Sequence, residues 1–457
     1  MATAVDQVYR YLAPSRVGSL DGRPDLALAT SGGSTASGPA SHPHFFEGFL
    51  GNAEQTATAL LAVARVARTR YYVPPGMLAA ILRAADPVVT SNGDRLRFES
   101  FSACCGVYAR LDVLPEGLDG TVLERGTTNV DFNPPMREAL AGIGGLEPLH
   151  LSVGQNVTLK TLEATVTEEK VALPERWIKG FAEVQVATST ATASWEVNAL
   201  EARRFIRGLP ASSGTRTPLM WAARAGEGVR MTSRPGTEAV CLPGPDRLRC
   251  LEPLLRFASS LRAYEASGAP GAPRTSVWEL QLDGARLALA LSPDVSRGFS
   301  GEGGILRDLA HDDAPADADL LHALLSFDAR IDVPLLARDA GLDDQRTRRA
   351  LGHLGAAGKV GYDVHEGAYF HRELPFDATA LAGMHPRLRD ARALAEGGAV
   401  RLDGDQARVA SADNEYLLRR TASGWRCSCP WYGKYQDNRG PCKHVLAVEL
   451  VERDRRP

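Results

Sequence analysis

The sequence predicts a multidomain α+β protein: an N-terminal α+β region, a central winged-helix-like domain and a C-terminal β-β-α metal-binding finger. Three observations predict it. At 457 residues the chain exceeds what one hydrophobic core usually organises. Its apolar periodicity switches between helical and strand-like spacing along its length. Cys427, Cys429 and Cys442 gather beside His444 near one end, whereas the other four cysteines show no such spacing. Four units are expected: an N-terminal α+β domain over 1–210 with a flexible segment near 30–43, a second α+β unit over 216–310, a winged-helix-like domain over 317–375 and the finger over 385–457.

Composition narrows the class. Hydrophobic content of 44% and charged content of 23% suit a soluble globular chain. No run of about 18 apolar residues marks a membrane span, and Met1 to Leu12 lacks an apolar core followed by a cleavage site, so a cytoplasmic location is expected. The net charge of −3 gives no global attraction to nucleic acid, and any such binding needs a local patch. Of 52 basic residues 46 are arginine, which with abundant Ala and Gly suggests a GC-rich bacterial genome. Cys104, Cys105, Cys241 and Cys250 read as free thiols.

Taken in order, Thr30 to Pro43 is rich in Gly, Ser, Ala and Pro and is expected to be a loop. Asn52 to Arg68 and Pro74 to Ala85 carry helical spacing. Gly106 to Val113, Leu149 to Val157 and Phe181 to Val186 alternate β-branched and aromatic residues and are expected as strands. Beyond the Ala-Ser-Ser-Gly-Thr-Arg-Thr linker, Leu219 to Ala223 and Val229 to Thr232 look like strands, Arg247 to Tyr264 an amphipathic helix, and Ser276 to Leu291 a hairpin turning at Asp283-Gly284. The Gly-rich stretch from Arg297 to Gly304 lacks the Lys-Ser/Thr ending of a phosphate cradle and reads as a loop.

Three short helices, Asp317 to Phe327, Pro334 to Ala340 and Asp344 to Ala357, precede two strands, Val360 to Asp363 and Ala368 to His371, turned by His365-Glu-Gly367. That order is a winged helix-turn-helix arrangement. Its third helix would expose Arg346, Arg348 and Arg349 as candidate phosphate contacts. Asp343 and Asp344 begin the same helix as cap and dipole partners, and Asp312, Asp313, Asp317 and Asp319 crowd the approach to the first. A packing or protein-interaction role is the alternative.

The metal-binding segment runs from Trp425 to Leu450. A period-2 strand places Cys427 and Cys429 on one face, and a helix starting near Cys442 lowers thiol pKa through its N-terminal partial charge. With His444, three sulfurs and one nitrogen make a closed tetrahedral site for structural Zn²⁺, without an open position for a substrate water. Three thiolates leave −1 on the site, and Arg426, Lys434, Arg439 and Lys443 lie near enough in sequence to offset it. Nine basic residues face five acidic ones over Glu415 to Pro457, with Trp431, Tyr432 and Tyr435 among them. Lys434 and Lys443 are thus further candidate nucleic-acid contacts, or the cluster builds a small core.

Cys427-x-Cys429 and Cys442-x-His444 resemble the SWIM-type zinc finger, a CxC…CxH module. The resemblance covers roughly Gly404 to Glu452 with all four ligand positions present. Leu173-Pro-Glu-Arg-Trp-Ile-Lys-Gly-Phe181, Gly361-Tyr-Asp363 and Phe370-His-Arg-Glu-Leu-Pro375 are similar to bacterial SWIM zinc finger family proteins. The resemblance implies zinc and binding of DNA or protein, and implies no reaction. No HExxH, GxSxG, P-loop or dinucleotide motif is present, so no enzyme and no small-molecule substrate is expected. Two readings remain: a protein-interaction or scaffold component of a cytoplasmic complex, and a DNA-binding or regulatory protein using winged helix and finger together.

Overall fold

The computed structural model describes residues 8–11, 14–71, 86–145, 148–154, 169–172, 174–211, 219–236, 238–268, 271–310, 314–374, 383–422 and 424–455. Its α-helices are α1 (Ala53–Arg68), α2 (Pro134–Gly142), α3 (Glu175–Ser189), α4 (Ala199–Arg207), α5 (Ala314–Leu324), α6 (Val333–Ala340), α7 (Asp344–Ala356), α8 (Pro386–Glu396), α9 (Pro430–Tyr435) and α10 (Lys443–Asp454). The expected helix at Pro74 to Ala85, Asp312, Asp313 and the linker from residue 212 lie outside the described residues.

An antiparallel ten-stranded sheet forms the centre. Its strands run Thr192–Asn198, Ser260–Glu265, Ser276–Leu282, Ala285–Leu291, Val107–Val113, Leu96–Phe101, Val88–Ser91, Gly126–Asn129, Gly33–Thr35 and Gly38–Ala40. A five-stranded sheet, Leu118–Val122, Phe46–Leu50, Leu149–Val153, Arg23–Leu28 and Arg16–Leu20, lies beside it in the same core, with one parallel pair. The division expected near residue 210 is therefore corrected. Ala285–Leu291 pairs with Val107–Val113 across it, so segments 1–210 and 216–310 share one sheet.

Strand period decides what each face of that sheet carries. Val107, Ala109, Leu111 and Val113 enter one core with α1. The residues between them, Tyr108, Arg110 and Asp112, point to the opposite face, joined by Arg97, Glu99, Glu279 and Arg286 from neighbouring strands; all are buried. Buried charges need partners, and the hairpin Val360–Asp363/Ala368–His371 supplies them. Asp363 pairs with Arg97 at 3.0 Å, Arg110 at 2.9 Å and Arg286 at 3.1 Å. Arg372 pairs with Glu99, and Asn92 donates to the carbonyls of Phe327 at 2.9 Å and His371 at 3.0 Å. Helices α5 to α7 and their hairpin are thus bolted to the central sheet, while α7 also packs on α3.

Three element expectations fail for physical reasons. Thr30 to Pro43 contains a two-residue hairpin rather than a loop, because Thr35 Oγ1 accepts from Ser37 N and Gly38 adopts φ +114°. Phe181 to Val186 lies inside α3: Trp177, Phe181, Val184 and Thr188 are buried at helical spacing. Arg247 to Tyr264 is a 3₁₀ helix (Pro245–Leu254) followed by a strand of the large sheet, since Pro253 interrupts any α-helix there.

Candidate metal centre

The finger is a four-stranded antiparallel meander, Val400–Asp403, Gln406–Ser411, Asn414–Thr421 and Gly424–Cys427, followed by α9 and α10. Cys427 ends the last strand. Cys429 is the N-cap of α9, its sulfur accepting from Tyr432 N at 3.4 Å, and Cys442 is the N-cap of α10, accepting from Val445 N at 3.5 Å. Cys429 N also donates to Cys427 Sγ at 3.4 Å. Backbone N–H donors therefore face each sulfur, two of them at helix N-termini, an environment that favours thiolate. Two residues past Cys442, His444 turns its Nδ1 inward on the first turn of α10 and stacks on Tyr416 at 4.3 Å.

The four ligand atoms lie within 4.8 Å of one another, and all four residues are buried. Bonds of about 2.3 Å to sulfur and about 2.0 Å to nitrogen give tetrahedral edges of roughly 3.5–3.8 Å around Zn²⁺. Cys427 Sγ lies 3.7 Å from His444 Nδ1. Hydrogen bonds from Cys427 and Cys442 hold the Cys429 thiol well below its ordinary pKa, and hydrogen bonding to Cys429 and Cys442, then burial, pushes Cys427 well above. Binding of a divalent cation there would displace the thiol protons. The donor set fits zinc, with Cys427, Cys429, Cys442 and His444 as holders.

The knuckle between α9 and α10 is pressed against the main body. Arg387 of α8 donates to Arg439 O at 2.7 Å, Pro441 O at 3.2 Å and Glu302 O at 2.8 Å, so one guanidinium ties the approach to Cys442 to a turn of the body. Arg307 pairs with Asp437 and Glu449, each at 3.1 Å, and Arg439 donates to Gly301 O. Gly440 has φ +70°, and an added Cβ would fall on the Gly303 carbonyl oxygen. Val445, Leu446 and Val448 of α10 enter a core shared with Leu388, Phe299 and Leu306. The finger does not stand on a core of its own.

The candidate nucleic-acid contacts fare differently. Arg346 makes a two-pronged pair with Asp317 at 2.9 and 2.6 Å, Arg348 pairs with Asp344 at 2.9 Å, and Lys443 lies 3.9 Å from Asp390. Lys434 sits over the Tyr435 ring at 5.0 Å. Arg349 keeps no carboxylate partner among the described residues. The structure does not bring the arginines of α7 and the lysines of the finger into one shared cluster of contacts. Of the aromatics, Trp431 and Tyr435 are covered by Arg439 at 4.7 and 4.6 Å, and Trp431 also by Arg387. Sequence reasoning missed Arg387 and Arg307, which nothing distinguishes among 46 arginines.

A second grouping, His322, His371 and Glu373, also lies within 4.8 Å. It does not fit a metal. His371 Nδ1 accepts from Phe327 N at 2.7 Å, which places the ring proton on Nε2, the atom nearer Glu373. Lys359 already pairs with Glu373 at 3.2 Å.

Among the described residues no helix is long and apolar enough to cross a membrane. No curated protein matches the chain. Among solved structures, similarity is found to the crystal structure of Proliferating Cellular Nuclear Antigen from Entamoeba histolytica, at 9% identity over 55% of this chain and 99% of that one, with a TM-score of 0.33. It is also found to a structure of the C-terminal region of FEN-1 bound to A. fulgidus PCNA, at 11% identity over 54% and 97%, with a TM-score of 0.32. Both TM-scores are too low to carry a conclusion about fold or role. Residues 418–452 match the family model described as SWIM zinc finger. The chain carries a SWIM zinc finger at residues 418–452, with Cys427, Cys429, Cys442 and His444 as its ligand cluster.

Proposed function

We propose that this chain is a scaffold or protein-interaction component, acting in the cytoplasm, in which a structural zinc fastens the finger to the body and no reaction is catalysed. The carrying observation is where the cations go. Arg346, Arg348 and Lys443 are matched by Asp317, Asp344 and Asp390, and Arg307, Arg387 and Arg439 are turned inward to hold the knuckle. Phosphate binding draws on several free cations on one surface, and of the candidate residues only Arg349 and Lys434 lack a carboxylate partner among the described residues. Helices α5 to α7 and their hairpin, read as a winged helix, have the hairpin buried in the central sheet by Asp363 rather than free to reach a groove.

Zinc with three thiolates and one imidazole has no vacant coordination position, so it supplies cross-linking rather than Lewis-acid chemistry. Cross-linking of intact cells followed by affinity purification, together with a salt titration of binding to a duplex and a single-stranded oligonucleotide, tests the proposal. Specific protein partners without oligonucleotide binding at low salt are expected. Tight oligonucleotide binding that falls steeply with salt would favour the DNA-binding alternative.

A further inference from the structure

Where α7 crosses α3, the two helices leave a groove of about 360 Å³. Two polar groups in its walls lack partners among the described residues. Gln185 of α3 is only 3% exposed, yet its Oε1 makes no hydrogen bond. Arg349 of α7 is half-buried, and its guanidinium has neither ion pair nor hydrogen bond among the described residues, with Nε fully covered. An unmatched guanidinium is the group best suited to grip a carboxylate. Around them Val186, Leu351 and Tyr369 give the groove an apolar lining.

The charge balance selects the occupant. Arg348 and Arg349 face a single carboxylate, Asp344, which Arg348 already engages at 2.9 Å. One unmatched cation on an apolar floor is too little for a phosphate backbone, whose binding draws on several cations at once. It suits a peptide that brings one acidic side chain among apolar ones. We propose that the α3–α7 groove docks an acidic, otherwise apolar segment of a partner protein, with a carboxylate on Arg349. This inference rests on the protein-interaction reading and names the surface used.

Selection of a random twelve-residue peptide library on the full-length, zinc-loaded protein, with Arg349→Glu protein as counter-selection, tests it. Enriched peptides should carry Asp or Glu flanked by apolar residues. By fluorescence anisotropy they should bind at least tenfold more weakly to Arg349→Glu and to Ser189→Trp, which fills the groove from α3, each variant keeping wild-type zinc content and unfolding temperature. No enrichment, peptides without acidic residues, or equal binding to all three proteins overturns the proposal. Displacement of the peptides by a twelve-nucleotide single strand at physiological salt would give the groove to nucleic acid and overturn it too. Should cellular partners be captured equally by Arg349→Glu, the groove fails while the protein-interaction reading stands; should no protein partner exist at all, the reading itself fails.

Discussion

Replacing Asp363 with alanine would remove one of the two carboxylates shared by Arg97, Arg110 and Arg286, whose side chains are 0%, 2% and 4% exposed. Asp112 would remain, bonded to Arg97 and Arg110 at 3.0 Å each and to Arg286 only at 3.5 Å. Removing one partner from a buried ion pair costs about 3–5 kcal/mol because the opposite charge is stranded. Here the loss should concentrate in the hairpin, since Asp363 also accepts from His365 N at 3.0 Å. Hydrogen exchange of peptides covering 360–371 should accelerate by two to three orders of magnitude, at about 1.4 kcal/mol per factor of ten. Asp363→Asn, which keeps an acceptor oxygen but no charge, should show a smaller effect. Although burial opposes its charge, Arg110, Arg97 and Arg286 hold Asp363 well below the ordinary carboxylate range. Its contribution is therefore present above the unfolded pKa of about 3.9 and is lost as pH falls through the lower folded value. Exchange of 360–371 changed by less than fivefold in Asp363→Ala would refute the claim that this network fixes the hairpin to the sheet.

Other expectations follow from the same geometry. Burial and the neighbouring Glu302 push Glu183 up to about 8, so its folded pKa exceeds its unfolded one, and stability should decline as pH rises from about 4.3 toward 8. Glu183→Gln should abolish that decline, and parallel unfolding curves for the two proteins at pH 5 and pH 8 would contradict it. Gly440→Ala must force φ +70° on a Cβ that meets Gly303; a loss of about 1–3 kcal/mol is expected, read as a lower unfolding temperature, with no change counting against the docked knuckle. Chelation of zinc should release α9 and the knuckle, raising proteolysis within 430–441, while the strand Ala285–Leu291 stays protected; loss of both together would show that the metal holds far more than the finger.

The finger was legible because ligand chemistry is local. Cys427, Cys429, Cys442 and His444 lie within one short stretch, and strand alternation plus a helix start suffices to converge them. What it docks onto was not. Arg387 reaches Glu302 across 85 positions and Arg97 reaches Asp363 across 266, and no periodicity reports such pairs. The ten-stranded sheet was hidden for a similar reason: its central strands are buried on both faces, and charged residues on one face of Leu96–Phe101 and Val107–Val113 imitate a solvated surface. Arg346, Arg348 and Arg349 read as one basic face, yet folding brought Asp317 to the first, left Asp344 on the second and gave the third no carboxylate among the described residues. A charge count along the chain cannot foresee which cation ends up alone.

We propose a closed zinc site that fastens the finger to the body. X-ray absorption at the zinc edge of the purified protein tests it most directly. About one zinc per chain is expected, with three sulfur neighbours at about 2.3 Å, one nitrogen at about 2.0 Å and no oxygen, and the signal should disappear in Cys427→Ser and His444→Ala proteins. A protein purified in native conditions without zinc, or one whose zinc carries an exchangeable oxygen ligand, would contradict it.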